Sequence, residues 1–185
     1  MIETARVIRT QPARLGPVLI EASEIAGRVR SIADEIQRDH AHGKVRLLVA
    51  LKGAWVFAAD LARSMEGRVE VDFLRLSSYG DSTESSGQVS ISGYEELELS
   101  GSRIVVVEDL VDSGRTLHAL MKRLRGCGAR SVRVAALLSK PSRRIVEVEI
   151  DYLGFEIPDR FVVGYGMDLA GAYRHLPDIR TLLPL

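Results

Sequence analysis

The run IVVVEDLVDSGRTL, residues 104–117, decides the fold. Four apolar residues, Ile104 to Val107, read as a buried strand that ends in two acids, Glu108 and Asp109. A short loop with Ser113 and Gly114 follows. A helix then begins, with Leu117, Leu120, Met121 and Leu124 on one face. A strand–loop–helix unit of this kind belongs to an α/β fold, and its loop lies at the carboxyl edge of a parallel sheet, where such folds bind ligands. The start of the helix offers free backbone N–H groups and the positive end of the helix dipole, which suits a phosphate. Gly114 permits a tight turn and close backbone approach, and Ser113 and Thr116 add hydroxyl donors.

Neither GxxxxGK[ST] nor GxGxxG occurs, so this is not one of the common nucleotide loops. Three acids, Glu108, Asp109 and Asp112, crowd an anion site. That makes sense for a ligand that carries a phosphate together with hydroxyl groups or a metal, as a phosphorylated sugar does. Taken singly, Asp112 reads as a helix N-cap and the other two as solvated strand-end charges. The apolar strand before them and Ser-Gly-x-Thr after them reverse that reading.

Working outward, Ile25, Val29, Ile32 and Ile36 follow helical spacing, with Ser23 as cap and Gly43 as stop. Val45–Leu51 reads as a buried strand and Ala54–Met65 as a second helix. Val69, Val71 and Phe73 alternate as a strand. Val132–Leu138 follows the central helix, and Ile145–Ile150, Tyr152–Ile157 and Phe161–Tyr165 read as later strands. Residues 77–93, SSYGDSTESSGQVSISG, form a long polar stretch that fits a functional lid. The chain has 185 residues, which suits a single domain.

Composition narrows the function classes. Hydrophobic residues are 46% and charged residues 27%, which argues against disorder. Lys plus Arg is 25 and Asp plus Glu is 25, so no basic excess marks a nucleic-acid or membrane-surface binder. The single cysteine, Cys127, excludes an internal disulfide and a cysteine-based metal cluster. Apolar runs are far shorter than the ~20 residues of a spanning helix. Met1 to Arg14 show no signal-peptide run, so a cytoplasmic protein is expected. His40, His42, His118 and His175 lack metal-ligand spacing.

VVVEDLVDSGRTL resembles the phosphoribosyl-pyrophosphate (PRPP) signature of the type I phosphoribosyltransferases. LVALKGAWVFAADL at 48–61 resembles their pyrophosphate loop, and SSYG at 77–80 the start of their mobile lid. LLSKPSRR at 137–144 and GFEIPDRFVVGYGMDLAGAYRHLP at 154–177 resemble the base-binding region of the hypoxanthine-guanine branch. The resemblance implies the type I fold: a largely parallel central sheet flanked by helices, with a small hood from residues 1–20 and 140–185. It implies transfer of the phosphoribosyl group from PRPP to a 6-oxopurine, with Mg2+ as cofactor. It also implies a homodimer or homotetramer with no nucleic-acid or membrane partner. Two alternatives stay open: a PRPP-binding regulatory protein, and a transferase for xanthine or another base.

Matched residue by residue, Glu108 and Asp109 face the ribose hydroxyls directly or through Mg2+. Neighbouring residues of a regular strand point to opposite faces, so the chain is expected to leave strand geometry here. Asp112, Ser113, Gly114, Arg115 and Thr116 form the 5′-phosphate cradle, and Asp112 accepts the proton at purine N7. Lys52 and Gly53 form the pyrophosphate loop, whose Leu51–Lys52 peptide can be cis in this family. Lys140 reads the 6-oxo group, since an ammonium only donates. Phe161 stacks on the base and Val162 offers backbone contacts. Asp168 binds the metal and Arg174 the pyrophosphate, while Ser78 and Tyr79 belong to the lid.

Overall fold

The computed structural model describes residues 13–41, 43–78, 89–95 and 97–184. In chain order the elements are β1 (Ala13–Ile20), α1 (Ala22–Asp39), β2 (Val45–Leu51), α2 (Trp55–Ser64), β3 (Val69–Ser78) and β4 (Val89–Ser92). They continue with β5 (Arg103–Val111), α3 (Arg115–Arg125), β6 (Ser131–Ser139), a 3-10 turn (Pro141–Arg143), β7 (Tyr152–Glu156), β8 (Val162–Val163) and β9 (Ile179–Pro184). Tyr79 and His42 lie outside the described residues.

The main sheet has the order β4-β3-β2-β5-β6-β7. β2 pairs in parallel with β3 and β5, β5 with β6, and β6 with β7, while β4 runs antiparallel on β3. The expected α/β class with a largely parallel central sheet is what the chain adopts. β2 and β5 are nearly continuous apolar runs because helices cover both faces of the sheet. Leu47, Val49, Val105 and Val107 join one core with α1 and α2, whereas Leu48, Ile104 and Val106 join another with α3. Ile25, Val29, Ile32 and Ile36 form the buried stripe of α1, spaced as a core-facing helix requires.

A second sheet, ordered β1-β9-β8, comes from the two ends of the described chain. Ala13 lies opposite Pro184 and Ile20 opposite Ile179. Val162 pairs with Thr181 and Val163 with Arg180, which carries β8 onto this sheet.

Several local expectations shift. α1 begins at Ala22, so Ser23 falls inside the first turn; the Glu21 amide instead donates to Glu24 Oε2 at 3.0 Å. Ile145–Ile150 is not a strand. Its residues do alternate in exposure, with Val148 and Ile150 packed toward α3. The amides of Ile145 and Val146, however, both donate to the Ser113 carbonyl at 3.0 Å, in place of a strand ladder. Phe161–Tyr165 shortens to Val162–Val163, because Gly164, Tyr165 and Gly166 all have positive φ and turn the chain away. Within 77–93, Ser78 pairs with Val89 and Ser77 with Ser90, so the two ends of that stretch form a hairpin.

Candidate active site

The β5–α3 loop opens at the carboxyl edge of the main sheet, as the sequence requires. Gly114 caps α3 with φ 81° and ψ −13°, a left-handed conformation that favours glycine. Asp112 is therefore not the helix cap. Its Oδ1 accepts from Arg143 Nε at 2.6 Å.

β5 does not end at Glu108. The strand continues to Val111, paired with β6 through Leu110↔Leu138 and Val111↔Ser139. The alternation of faces nevertheless slips. Val105 and Val107 pack toward α1 and α2, and regular pleating would send Leu110 to the opposite core. Leu110 packs toward α1 and α2 instead, and Val111 toward α3. The expected departure from strand geometry is thus a slip of one residue across Glu108–Asp109 inside a strand that stays hydrogen-bonded. It brings the two carboxyl groups into mutual influence. Glu108 is pushed well above the usual carboxylate range by burial and then by the Asp109 charge. Burial also raises Asp109, against which backbone amides and the Arg174 charge act. Glu108 Oε2 is buried with no hydrogen-bond partner among the described residues.

Two cavities meet at this edge. The larger, of about 400 Å3, brings together Lys52, Gly53, Asp109, Asp112, Lys140, Phe161, Val162, Asp168 and Arg174. The smaller, of about 250 Å3, is lined by Glu108, Ser113, Gly114 and Thr116 and shares Lys52, Gly53, Asp109 and Asp112 with the first. Arg115 lines neither; its side chain is exposed, so only its amide at the helix start faces the loop. Ser78 ends β3, and Tyr79 lies outside the described residues. Cys127 and the described histidines, His40, His118 and His175, line neither cavity.

Lys52 and Gly53 sit between β2 and α2, and the Leu51–Lys52 peptide is cis. Gly53 lies so close to Asp109 that an added Cβ would collide with its carboxylate. Across the larger cavity, Arg174 Nη2 pairs with Asp168 Oδ1 at 2.6 Å and Arg174 Nη1 donates to the Gly166 carbonyl at 2.5 Å. The Gly171 amide donates to Asp168 Oδ2 at 2.6 Å. The Tyr165 hydroxyl donates to Asp60 Oδ2 at 2.6 Å, pinning this turn to α2. Lys140 is buried, and burial lowers its ammonium from the ordinary lysine value while Asp112 and Asp159 act the other way.

A family model for the phosphoribosyl transferase domain matches residues 20–169. The hypoxanthine-guanine phosphoribosyltransferase of Bacillus subtilis is 41% identical over 167 residues, covering 90% of this chain and 93% of that protein. Its Mycobacterium avium counterpart is 40% identical over 192 residues, covering 98% and 95%. A crystal structure of a hypoxanthine-guanine phosphoribosyltransferase from Bacillus anthracis, with HEPES in its active site, superposes with a TM-score of 0.87 at 38% identity. That match covers 92% of this chain and 100% of the other. The chain belongs to the phosphoribosyltransferase family, on its hypoxanthine-guanine branch.

For this phosphoribosyltransferase, sequence reasoning missed Arg143, Asp159, Leu110 and Met167, all of which line the larger cavity. Arg143 and Asp159 stand in the motifs SKPSRR and IPDRF, but single charges there look like ordinary surface. Among the described residues no three His, Cys, Asp or Glu side chains converge to enclose an ion. Asp109 and Asp168 do line one cavity, and Glu108, whose Oε2 is buried without a hydrogen-bond partner among the described residues, lines the adjoining one with Asp109. Such a set fits Mg2+, which takes few protein carboxylates and keeps substrate oxygens and water as its other ligands.

Proposed function

We propose that this protein transfers the 5-phosphoribosyl group of PRPP to a 6-oxopurine, hypoxanthine or guanine, giving IMP or GMP and pyrophosphate. One observation carries the reading: Asp112 lines both cavities, as Asp109 does, and of the two it is the one on the β5–α3 loop itself, so its carboxylate faces a phosphate-type loop on one side and a base-type pocket on the other. The 5′-phosphate sits on Ser113, Gly114, the Arg115 amide and Thr116 at the start of α3, where unpaired N–H groups and the helix dipole favour an anion. Glu108 and Asp109 accept from the ribose hydroxyls. Lys52, Gly53 and Arg174 receive the pyrophosphate, with Arg174 suited to two oxygens at once.

The base lies against Phe161, with Val162 at its edge. Lys140 donates to the 6-oxo oxygen, which an amino group at that position could not accept. Asp112 takes the N7 proton as the new C1–N bond forms. Positive charge grows on the ribose ring as the old bond breaks, so placement and nearby carboxylates supply most of the help. Asp109 and Asp168, together with Glu108, are the residues to hold Mg2+, which when bound would spread the negative charge of the leaving pyrophosphate.

The β1-β9-β8 sheet acts as the hood over the base. No described helix is long and apolar enough to cross a membrane, and a cytoplasmic setting fits the single-cysteine composition. Trp55, Val71 and Phe73 are exposed, which supports a homodimer or homotetramer. The deciding assay supplies PRPP and Mg2+ with hypoxanthine, guanine, xanthine or adenine in turn. Turnover of hypoxanthine or guanine is expected; turnover of adenine alone, or of no base, overturns the reading.

A further inference from the structure

Four ionised side chains on the base side of the larger cavity are tied to one another. Arg143 Nε donates to Asp112 Oδ1 at 2.6 Å, and Arg143 Nη1 donates to Asp159 Oδ2 at 3.4 Å. Lys140 Nζ stands 3.9 Å from Asp159 Oδ1. All four groups line the same cavity. Asp112 and Lys140 are the two groups that the proposed reaction assigns to the base. Each is held by a residue to which that reaction gives no part.

The backbone around this quartet is fixed. Arg144 Nη1 donates to the Asp112 carbonyl at 3.1 Å and Arg144 Nη2 to Ser139 Oγ at 2.7 Å. The Ile145 and Val146 amides hold the Ser113 carbonyl. The turn that carries Arg143 is therefore anchored to the loop that carries Asp112.

The geometry points to a charge exchange. An arriving 6-oxopurine takes Asp112 from Arg143 and Lys140 from Asp159, and the two released groups, already in contact, close on each other. Every charge keeps a partner throughout, which matters most for Lys140, the buried member of the four. Arg143 is thus a positioning residue that competes with the base for Asp112, and Asp159 is the acceptor that draws Arg143 away. This rests on the 6-oxopurine reading of the cavity. The side chains of Arg143, Asp112 and Asp159 are 33%, 41% and 50% exposed, so solvent screens the pairs and the effects are several-fold, not orders of magnitude.

The test is steady-state kinetics with varied hypoxanthine at saturating PRPP, on the wild-type protein, Arg143→Gln, Asp159→Asn and the double variant. Asp159→Asn should raise KM for the base about threefold and Arg143→Gln should lower it about threefold, with smaller changes in kcat and in KM for PRPP. The double variant should lie near Arg143→Gln alone, because relieving that contact is the main effect of Asp159 and its 3.9 Å contact with Lys140 is the longer of the two. Arg143→Lys, which keeps the charge, should restore a KM near that of the wild type, and Arg143→Met replaces Arg143→Gln if the latter does not fold. A rise in KM for Arg143→Gln overturns the exchange. So does a change from Asp159→Asn that is the same with and without Arg143, since Asp159 would then act through Lys140 alone. A wild-type protein that converts neither hypoxanthine nor guanine defeats the functional reading instead, before any variant is compared.

Discussion

Asp112 holds the junction of the two cavities, and its amide variant separates its two possible duties. Asp112→Asn keeps the shape of the side chain and removes the proton acceptor. Turnover should fall by roughly 10²–10⁴-fold, while PRPP binding, followed by calorimetry, stays near the wild-type level. A wild-type rate would remove Asp112 from proton transfer. Lys140 offers a second check. Lys140→Met removes a charged donor, and kcat/KM for hypoxanthine should drop about 10–100-fold. Burial holds the Lys140 ammonium below the ordinary lysine value, and the lowered group loses its proton sooner as pH rises. Efficiency on hypoxanthine should therefore decline on the alkaline side earlier than an ordinary lysine would dictate, and Lys140→Met should lack that decline.

At this scale the sequence was most legible where several residue types had to occur together. Glu108 through Thr116 could be read because an acid pair, a glycine and two hydroxyls follow an apolar strand. Arg143 could not, because its meaning depends on a carboxylate 31 positions away that only the folded chain brings near.

Among the elements, β5 does the most. Its one-residue slip at Glu108–Asp109 places two acids at one edge, and Gly53 closes against the second of them. Gly53→Ala should keep the fold, since the residue lies in a turn at the end of β2, but it forces the Lys52 loop and Asp109 apart. A fall in kcat/KM for PRPP of at least about tenfold is expected, with a far smaller change in KM for the base. Equal loss on both substrates would argue for a general collapse of the edge. The helices and core strands were legible from periodicity alone, as α1 and β2 illustrate. Ile145–Ile150 was not, because alternating exposure marks any extended segment resting on a core, whether or not a neighbouring strand takes its hydrogen bonds. The slip itself was anticipated only as a need for both acids to reach one sugar. Its form, a paired strand with displaced faces, depends on how Leu110 and Val111 settle into separate cores.

For the whole molecule, surface chemistry adds what the chain's own folding leaves unused. Trp55 is 48% exposed and Phe73 50%, and Val71 shares a face of β3 with Phe73. Large apolar groups at a surface mark contact sites more often when they occur near one another along an element. Phe73→Asp should shift the protein toward the monomer in sedimentation velocity, with its melting temperature measured alongside. An unchanged sedimentation coefficient would remove this face from the proposed assembly. The number of copies was illegible in the sequence, because an apolar strand residue reads alike whether a helix or another protomer covers it. The two-sheet layout was only partly legible, since β1 and β9 carry no local signal for pairing across almost the full length of the chain.

That long-range ladder has a consequence for synthesis. During translation, β5, α3 and most of the sugar-handling loop emerge well before β9, so the nascent protein holds one half of its reaction site while the other waits. β9, the strand beside β8, follows all of them in chain order, and until it is made β8 lacks its antiparallel partner. Under the proposed reading, nucleobase capture should therefore arise in a newborn chain only after β9 has been made, later than the sugar-handling loop.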